Sequence, residues 1–217
     1  MVAVDLSHVL ISGIQVYPGD PEVVIIPALS VGNDLVNVQS IHMGSQSGTH
    51  VDSPWHVIEH GLKLDQISLE HFFGRAVIVD ATGLHPRQEI PHERFQAAEI
   101  DSPRIIIVKT RWSHYFGSSK YLEHPFPSLK SLQYLLDKGV RTIALDFLSL
   151  DRTPGDGEEF TLQNHYLWSS AGGVIGENFT NIDAINFPDI WLSMLPLNLG
   201  DVDGAPVRAV AIDGKSL

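Results

Sequence analysis

RIIIVK (residues 104–109), SLKSLQYLLDKG (128–139) and RTIALD (141–146) are the segments that decide the fold. The first and last are short apolar runs rich in β-branched residues, the pattern of strands buried on both faces. Between them, Ser128 can cap a helix carrying Leu129, Leu132, Leu135 and Leu136 on one face, and Gly139 can stop it. Strand, helix and strand in that order read as a βαβ unit, and hence as parallel sheet. Working outward, RAVIVD (75–80) has the same character, and Leu35 to Met43 reads as a strand with partial alternation. IWLSMLPLNL (190–199) and APVRAVAI (205–212) look like further strands. The expected class is α/β: a single domain over residues 1–217, with a mixed, strand-rich sheet and flanking helices.

Composition narrows what such a domain can do. The chain has 217 residues, 43% of them hydrophobic, enough to bury a core without disulfides or a structural metal. It has no cysteine, which excludes a disulfide framework, a cysteine-ligated zinc and thiol catalysis. A net charge of -12 leaves no basic footprint for nucleic acid. The N-terminal MVAVDLSHVL lacks a basic region and a long apolar core, and no apolar run is long enough to span a bilayer. A soluble cytoplasmic protein with no membrane partner is expected. Dinucleotide-binding, phosphate-loop and nucleophile-elbow signatures are all missing. Eleven histidines, by contrast, hint at metal or acid–base chemistry.

The densest chemistry lies in Gln46 to His56. His50 and Asp52 are two apart, so an extended backbone projects both from one face. There an imidazole and a carboxylate could hold a divalent metal. Gly48 permits a positive φ, and Pro54 ends the extended run so that His56 can turn back toward the site. The pair could equally be a satisfied surface couple, with His56 a polar loop residue. Glu177 could end a strand in solvent, and His165, amid apolar residues, could be a core histidine bonded to backbone. Asp146 and Asp151 lie where a parallel strand delivers residues to a crevice, as supporting candidates. His42 shares a strand face with Gln46, and the remaining histidines are expected mostly at the surface.

GTHVDSPWH (48–56) resembles the signature of the cyclase family, which includes bacterial kynurenine formamidases and isatin hydrolases. Four more segments resemble that family in its order: YPGDP (17–21), GLKLDQISLEHFFGRAVIVD (61–80), HYLWSSAGGVIGEN (165–178) and LPLNLGDVDGAPVRAVAI (195–212). The resemblance implies the formamidase-like swivelling β/β/α fold. It implies metal ligands at His50, Asp52, His165 and Glu177, with Asp52 able to bridge two ions. It also implies proton transfer by His56 and substrate contact by Tyr17. Where formamidases carry a further histidine, this chain has Gln46, a neutral and poorer zinc donor. One or two divalent ions are implied, zinc foremost and manganese as the alternative, in a homodimer or homotetramer.

The chemistry so implied is hydrolysis of a small amide, formamide or lactam. Metal-bound hydroxide would attack the carbonyl, with His56 as a separate acid–base residue. The alternatives are a metal-dependent cyclase or dehydratase, which consumes no water, and a metal-stabilised binding module without turnover.

Overall fold

Four consecutive apolar residues, Ile105 to Val108, divide the core in two. Ile105 and Ile107 pack into one buried cluster with Val51, Phe72 and Leu192. Ile106 and Val108 point the other way, joining Phe95, Leu132, Leu135 and Trp168. Side chains alternate along a strand, so a run covered on both faces must split in this way. All four are at most 3% exposed, and each such burial contributes about 1.5–3 kcal/mol.

The structure is a computed structural model that describes residues 2–100, 105–155 and 157–216. Arg104, at the head of RIIIVK, therefore lies outside the described residues. In chain order the elements are β1 (Ala3–Asp5), β2 (Val24–Leu29), α1 (Val31–Asp34), β3 (Val38–His42), β4 (His50–Asp52), β5 (Phe73–Asp80) and β6 (Glu89–Ile90). Then come α2 (His92–Gln96), β7 (Ile105–Lys109), β8 (Phe126–Pro127), α3 (Leu129–Asp137), β9 (Thr142–Leu145) and α4 (Gln163–Ser170). The last strands are β10 (Val174–Glu177), β11 (Ile190–Ser193), β12 (Gly204–Pro206) and β13 (Val210–Asp213).

Nine strands form one sheet in the order β1-β13-β11-β5-β7-β9-β10-β4-β12. Its centre, β5-β7-β9-β10, is parallel, and both flanks pair antiparallel, so the sheet is mixed as expected. The βαβ reading holds at β7-α3-β9. Ser128 Oγ accepts the Ser131 N–H at 3.2 Å, Leu132, Leu135 and Leu136 are buried, and Gly139 takes φ +83° just past the helix. Leu129 stays 43% exposed at the first turn.

Three strand expectations need correction. Leu35 to Met43 does not join the main sheet. Leu35 closes α1 with φ +65°, and only Val38–His42 is strand, paired solely with β2 in an exposed ribbon. Its partial alternation lacks a covering layer on either side. APVRAVAI is two strands, not one: β12 pairs with β4 at one edge, whereas β13 lies between β1 and β11 at the other flank. IWLSMLPLNL is strand only over Ile190–Ser193. Among the described residues, no helix is long and apolar enough to cross a membrane.

His124 is an exception to the expected surface placement of the scattered histidines, at 1% exposed. It stacks on Phe147, with Nδ1 2.8 Å from the Pro125 carbonyl and Nε2 2.9 Å from Thr153 Oγ1. The neutral ring, donating from Nδ1 and accepting at Nε2, satisfies both contacts. Burial lowers its pKa from 6.5 to about 4. The unfolded chain therefore takes up this proton first as pH falls. Stability is expected to decline between pH 6.5 and about 4, with this group approaching roughly 1.4 kcal/mol per pH unit. Urea unfolding across that range measures the slope. An unaltered slope in His124→Gln would assign the loss to other groups.

Candidate metal centre

Alternation on β4 puts His50 and Asp52 on one face, as the spacing requires. Antiparallel pairing with β10 then sets Glu177 directly opposite His50. One ligand atom from each of the three lies within 4.8 Å of the other two. His165 arrives from the first turn of α4. Asp151 fixes that turn by accepting the backbone N–H groups of Asn164 and His165 at 2.8 and 2.9 Å. The structure thus brings together all four residues that the resemblance singled out.

Each carboxylate faces both imidazoles. His50 Nε2 lies 3.4 Å from Asp52 Oδ1 and 3.6 Å from Glu177 Oε2. His165 Nε2 lies 3.9 Å from Asp52 Oδ2 and 3.4 Å from Glu177 Oε1. The outer ring nitrogens are already committed. His50 Nδ1 is 2.8 Å from the Gly48 carbonyl, and His165 Nδ1 is 2.7 Å from Asp151 Oδ2. With each Nδ1 directed outward, Nε2 is the nitrogen that faces the centre, the orientation a metal ligand needs.

Gly48 is fixed by two demands. Its φ is +62°, and a Cβ there would stand 2.6 Å from Leu10 Cδ2. Asn178, which sequence reasoning missed, locks the same loop. Its side-chain amide donates to the Gly48 carbonyl at 3.0 Å, and its own carbonyl accepts from Thr49 Oγ1 at 2.7 Å.

The electrostatics call for a cation. The four residues are between 2% and 5% exposed, and both Asp52 oxygens are buried without a hydrogen-bond partner. Burial raises the Asp52 pKa, opposed chiefly by His50. Burial also opposes charge on His165, but hydrogen bonds to Asp151 and Glu177 carry its pKa up to about 10. An unpaired buried carboxylate costs several kcal/mol, and a divalent ion among these donors would remove that cost. Two imidazoles and two carboxylates suit zinc or manganese. The residues present fit such an ion.

His56 stands beside the cluster. Pro54–His56 is one 3-10 turn that swings the ring back, with its centroid 5.9 Å from that of His165. Its Nδ1 meets Asp203 Oδ2 at 2.9 Å. Asp203, also unforeseen, precedes β12, and its backbone carbonyl accepts the Ser53 N–H at 2.8 Å. Its carboxylate accepts from Ser45 Oγ at 2.7 Å and from Gln46 Nε2 at 2.9 Å. Burial opposes its ionisation, yet the bonds from His56, Ser45 and Gln46 hold its pKa well below the usual range. The Gln46 amide nitrogen is thus directed to Asp203. No signal in the sequence links positions 56 and 203.

A cavity of about 420 Å³ opens over the centre, and Tyr17, Gln46 and His56 are among the residues lining it. His42 is exposed on β3 and does not reach inward. Asp146 accepts from Thr110 and Arg111 and holds the β7–β9 region, whereas Asp151 supports His165 directly.

Comparison with known proteins places the chain in a family. The Cyclase family model matches residues 4–152. A kynurenine formamidase of Bacillus cereus is 30% identical over 210 residues, covering 95% of each chain. One from Bacillus mycoides is 31% identical over 210 residues, with the same coverage. The solved structure of an isatin hydrolase bound to the product analogue thioisatinate superposes with a TM-score of 0.86 at 20% identity, over 96% of this chain and 91% of that one. That last likeness is one of fold. The chain belongs to the cyclase family.

Adding zinc or manganese to metal-free protein is expected to raise its melting temperature. The stabilisation would be about 2.7 kcal/mol at a hundredfold excess over Kd. Thermal scanning of Asp52→Asn should find most of that shift gone. A shift of wild-type size would remove Asp52 from the donor set.

Proposed function

We propose that this chain is a metal-dependent amide hydrolase that cleaves the C–N bond of a small aryl amide, formamide or lactam. In this reading His50, Asp52, His165 and Glu177 hold one or two divalent ions, zinc foremost and manganese the alternative. The observation that carries it is the buried Asp52 carboxylate, without a hydrogen-bond donor, in a four-donor cluster, beside an imidazole outside the cluster that has its own carboxylate. The formamidase relatives support the same reaction class.

When bound, such an ion supplies Lewis acidity, polarising the amide carbonyl and making water easier to deprotonate. The chain's own residues do the rest. Asp203 accepts the Nδ1 proton of His56, which leaves Nε2 free to take a proton from the attacking water. The resulting imidazolium, stabilised by Asp203, returns that proton to the departing nitrogen as the C–N bond breaks. One water is consumed, and an acid and an amine result, joined in a single product where the substrate is a lactam. Leu148, Phe160 and Leu162 supply apolar wall for an aryl group, and Tyr17 contacts substrate at the mouth. A binding module has no use for the His56–Asp203 pair.

Self-association as a homodimer or homotetramer belongs to the same proposal, through the ribbon of β2 and β3. Ile26, Val31, Leu35 and Ile41 there are 53–88% exposed, and Asp34 is the only acidic residue between Val24 and Met43. A body of charge -12 associates with itself most readily through such a weakly charged patch. A cytoplasmic location is proposed on the lack of cysteine.

His50→Ala and Asp52→Ala are expected to lose bound metal. His56→Ala and Asp203→Asn should keep it and lose roughly 10²–10⁴-fold in kcat. Elemental analysis alongside a formanilide assay separates the two groups, and equal metal loss in all four would refute the role given to His56. Ile26→Lys with Ile41→Lys should lower the molar mass measured by light scattering. An unchanged mass would place the interface elsewhere.

A further inference from the structure

Tyr121 is wholly buried among the residues that pack with Ile106 and Val108, and its ring meets that of Phe116 edge-on at 5.2 Å. A phenylalanine would fill the same space. The hydroxyl adds nothing to that packing, and its hydrogen bond leads instead to the metal centre. Tyr121 Oη donates to Asn178 Oδ1 at 2.8 Å, and Asn178 Nδ2 donates to the Gly48 carbonyl at 3.0 Å. His50 Nδ1 reaches that same carbonyl at 2.8 Å. All four residues are buried, so no link of this chain is exchanged with solvent.

The direction of every bond follows from the carbonyl. A carbonyl oxygen only accepts, so His50 Nδ1 and the Asn178 amide must each offer it a proton. With its nitrogen turned to Gly48, the amide shows its oxygen to Tyr121, which must then donate. Reversed, the amide would set two oxygens against each other at Gly48. Burial raises the Tyr121 pKa well above its ordinary value, with Asp146 and Glu177 adding to the effect, so the phenol keeps the proton it gives. The Asn178 backbone is fixed too. It takes φ +59°, which asparagine tolerates better than most residues, its N–H donates to the Phe147 carbonyl at 3.1 Å, and its carbonyl accepts from Thr49 Oγ1 at 2.7 Å.

We propose that Tyr121 and Asn178 are positioning residues for the metal centre. The hydroxyl orients the amide, the amide holds the Gly48 carbonyl, and the carbonyl keeps the His50 ring with Nε2 toward the other donors. This rests on the metal-centre reading and extends it to residues outside the donor set. The metal affinity of the site is thereby tied to one buried hydroxyl on a separate part of the chain.

Zinc is titrated against a competing chelator into metal-free wild type, Tyr121→Phe, Asn178→Gly and the double variant, at a temperature where all are folded. Phenylalanine keeps the ring, and glycine keeps the left-handed backbone. Tyr121→Phe is expected to weaken zinc binding about tenfold and Asn178→Gly about thirtyfold, the range for groups that orient metal ligands. The double variant should bind no more weakly than Asn178→Gly, because the hydroxyl acts through the amide. A merely structural role would lower the melting temperature and leave the Kd of the folded protein alone. An unchanged Kd in Tyr121→Phe, or losses that multiply in the double variant, overturns the proposal. A second readout needs no metal: in nitrogen-15-labelled metal-free protein the His50 ring N–H resonance, identified by its absence in His50→Gln, should move in Tyr121→Phe, whereas that of His165, held by Asp151, should stay. A His50 resonance that does not move also overturns the proposal. If wild type binds no zinc the metal reading fails, and if Asn178→Gly does not fold the cycle is lost; in either case the His50 resonance in Tyr121→Phe decides the positioning role.

Discussion

Two carboxylates held against each other in the protein interior set the terms for the site. Asp52 and Glu177 lie on neighbouring strands whose antiparallel register leaves them no freedom to separate. Glu177 has one backbone N–H, from Leu150 at 2.7 Å, and Asp52 has no hydrogen-bond donor at all. Charge so placed is tolerated only if something positive joins it. The two imidazoles turn Nε2 inward; without a metal a proton on His165 answers part of this charge, and a bound cation would take that proton's place.

A second layer makes the orientation permanent. The Gly48 carbonyl and Asp151 each take up the outer nitrogen of one histidine. Gly48 is in turn gripped by Asn178, and Asp151 also closes the start of α4. The same logic recurs outside the cluster, where Asp203 fixes His56 and is itself fixed by Ser45 and Gln46. Gln46 thus supports the His56–Asp203 pair from the position where the family resemblance would place a histidine. Neutral side chains suffice for that task, since it needs only a hydrogen-bond donor aimed at a carboxylate.

The sheet explains why these residues can meet. The parallel centre ends its strands on one side, where β10 delivers Glu177 and the segment after β9 delivers Leu148 to Asp151. Ligands gather at such carboxyl ends in open α/β sheets. The antiparallel strand β4 then brings His50 and Asp52 alongside, and β12 brings Asp203 behind them. Rigid strands carry most of the centre, while the turn at Tyr17 to Asp20 and the exposed Phe160 shape the mouth.

By itself the sequence determined the local features. The β-branched runs gave β5, β7 and β9, the leucine spacing after Ser128 gave α3, and the two-residue interval put His50 and Asp52 on one face. Those follow from backbone periodicity, which a chain carries in its own order. The family resemblance pointed to His165 and Glu177, which no spacing could join to His50. It takes the folded chain to show that Asp203 meets His56 across 147 positions, that Asp151 rather than Asp146 contacts His165, and that the strand at Val38 stands apart from the sheet. Pairing between remote strands depends on which edges remain free once the core has closed, and that information is shared among all the strands at once.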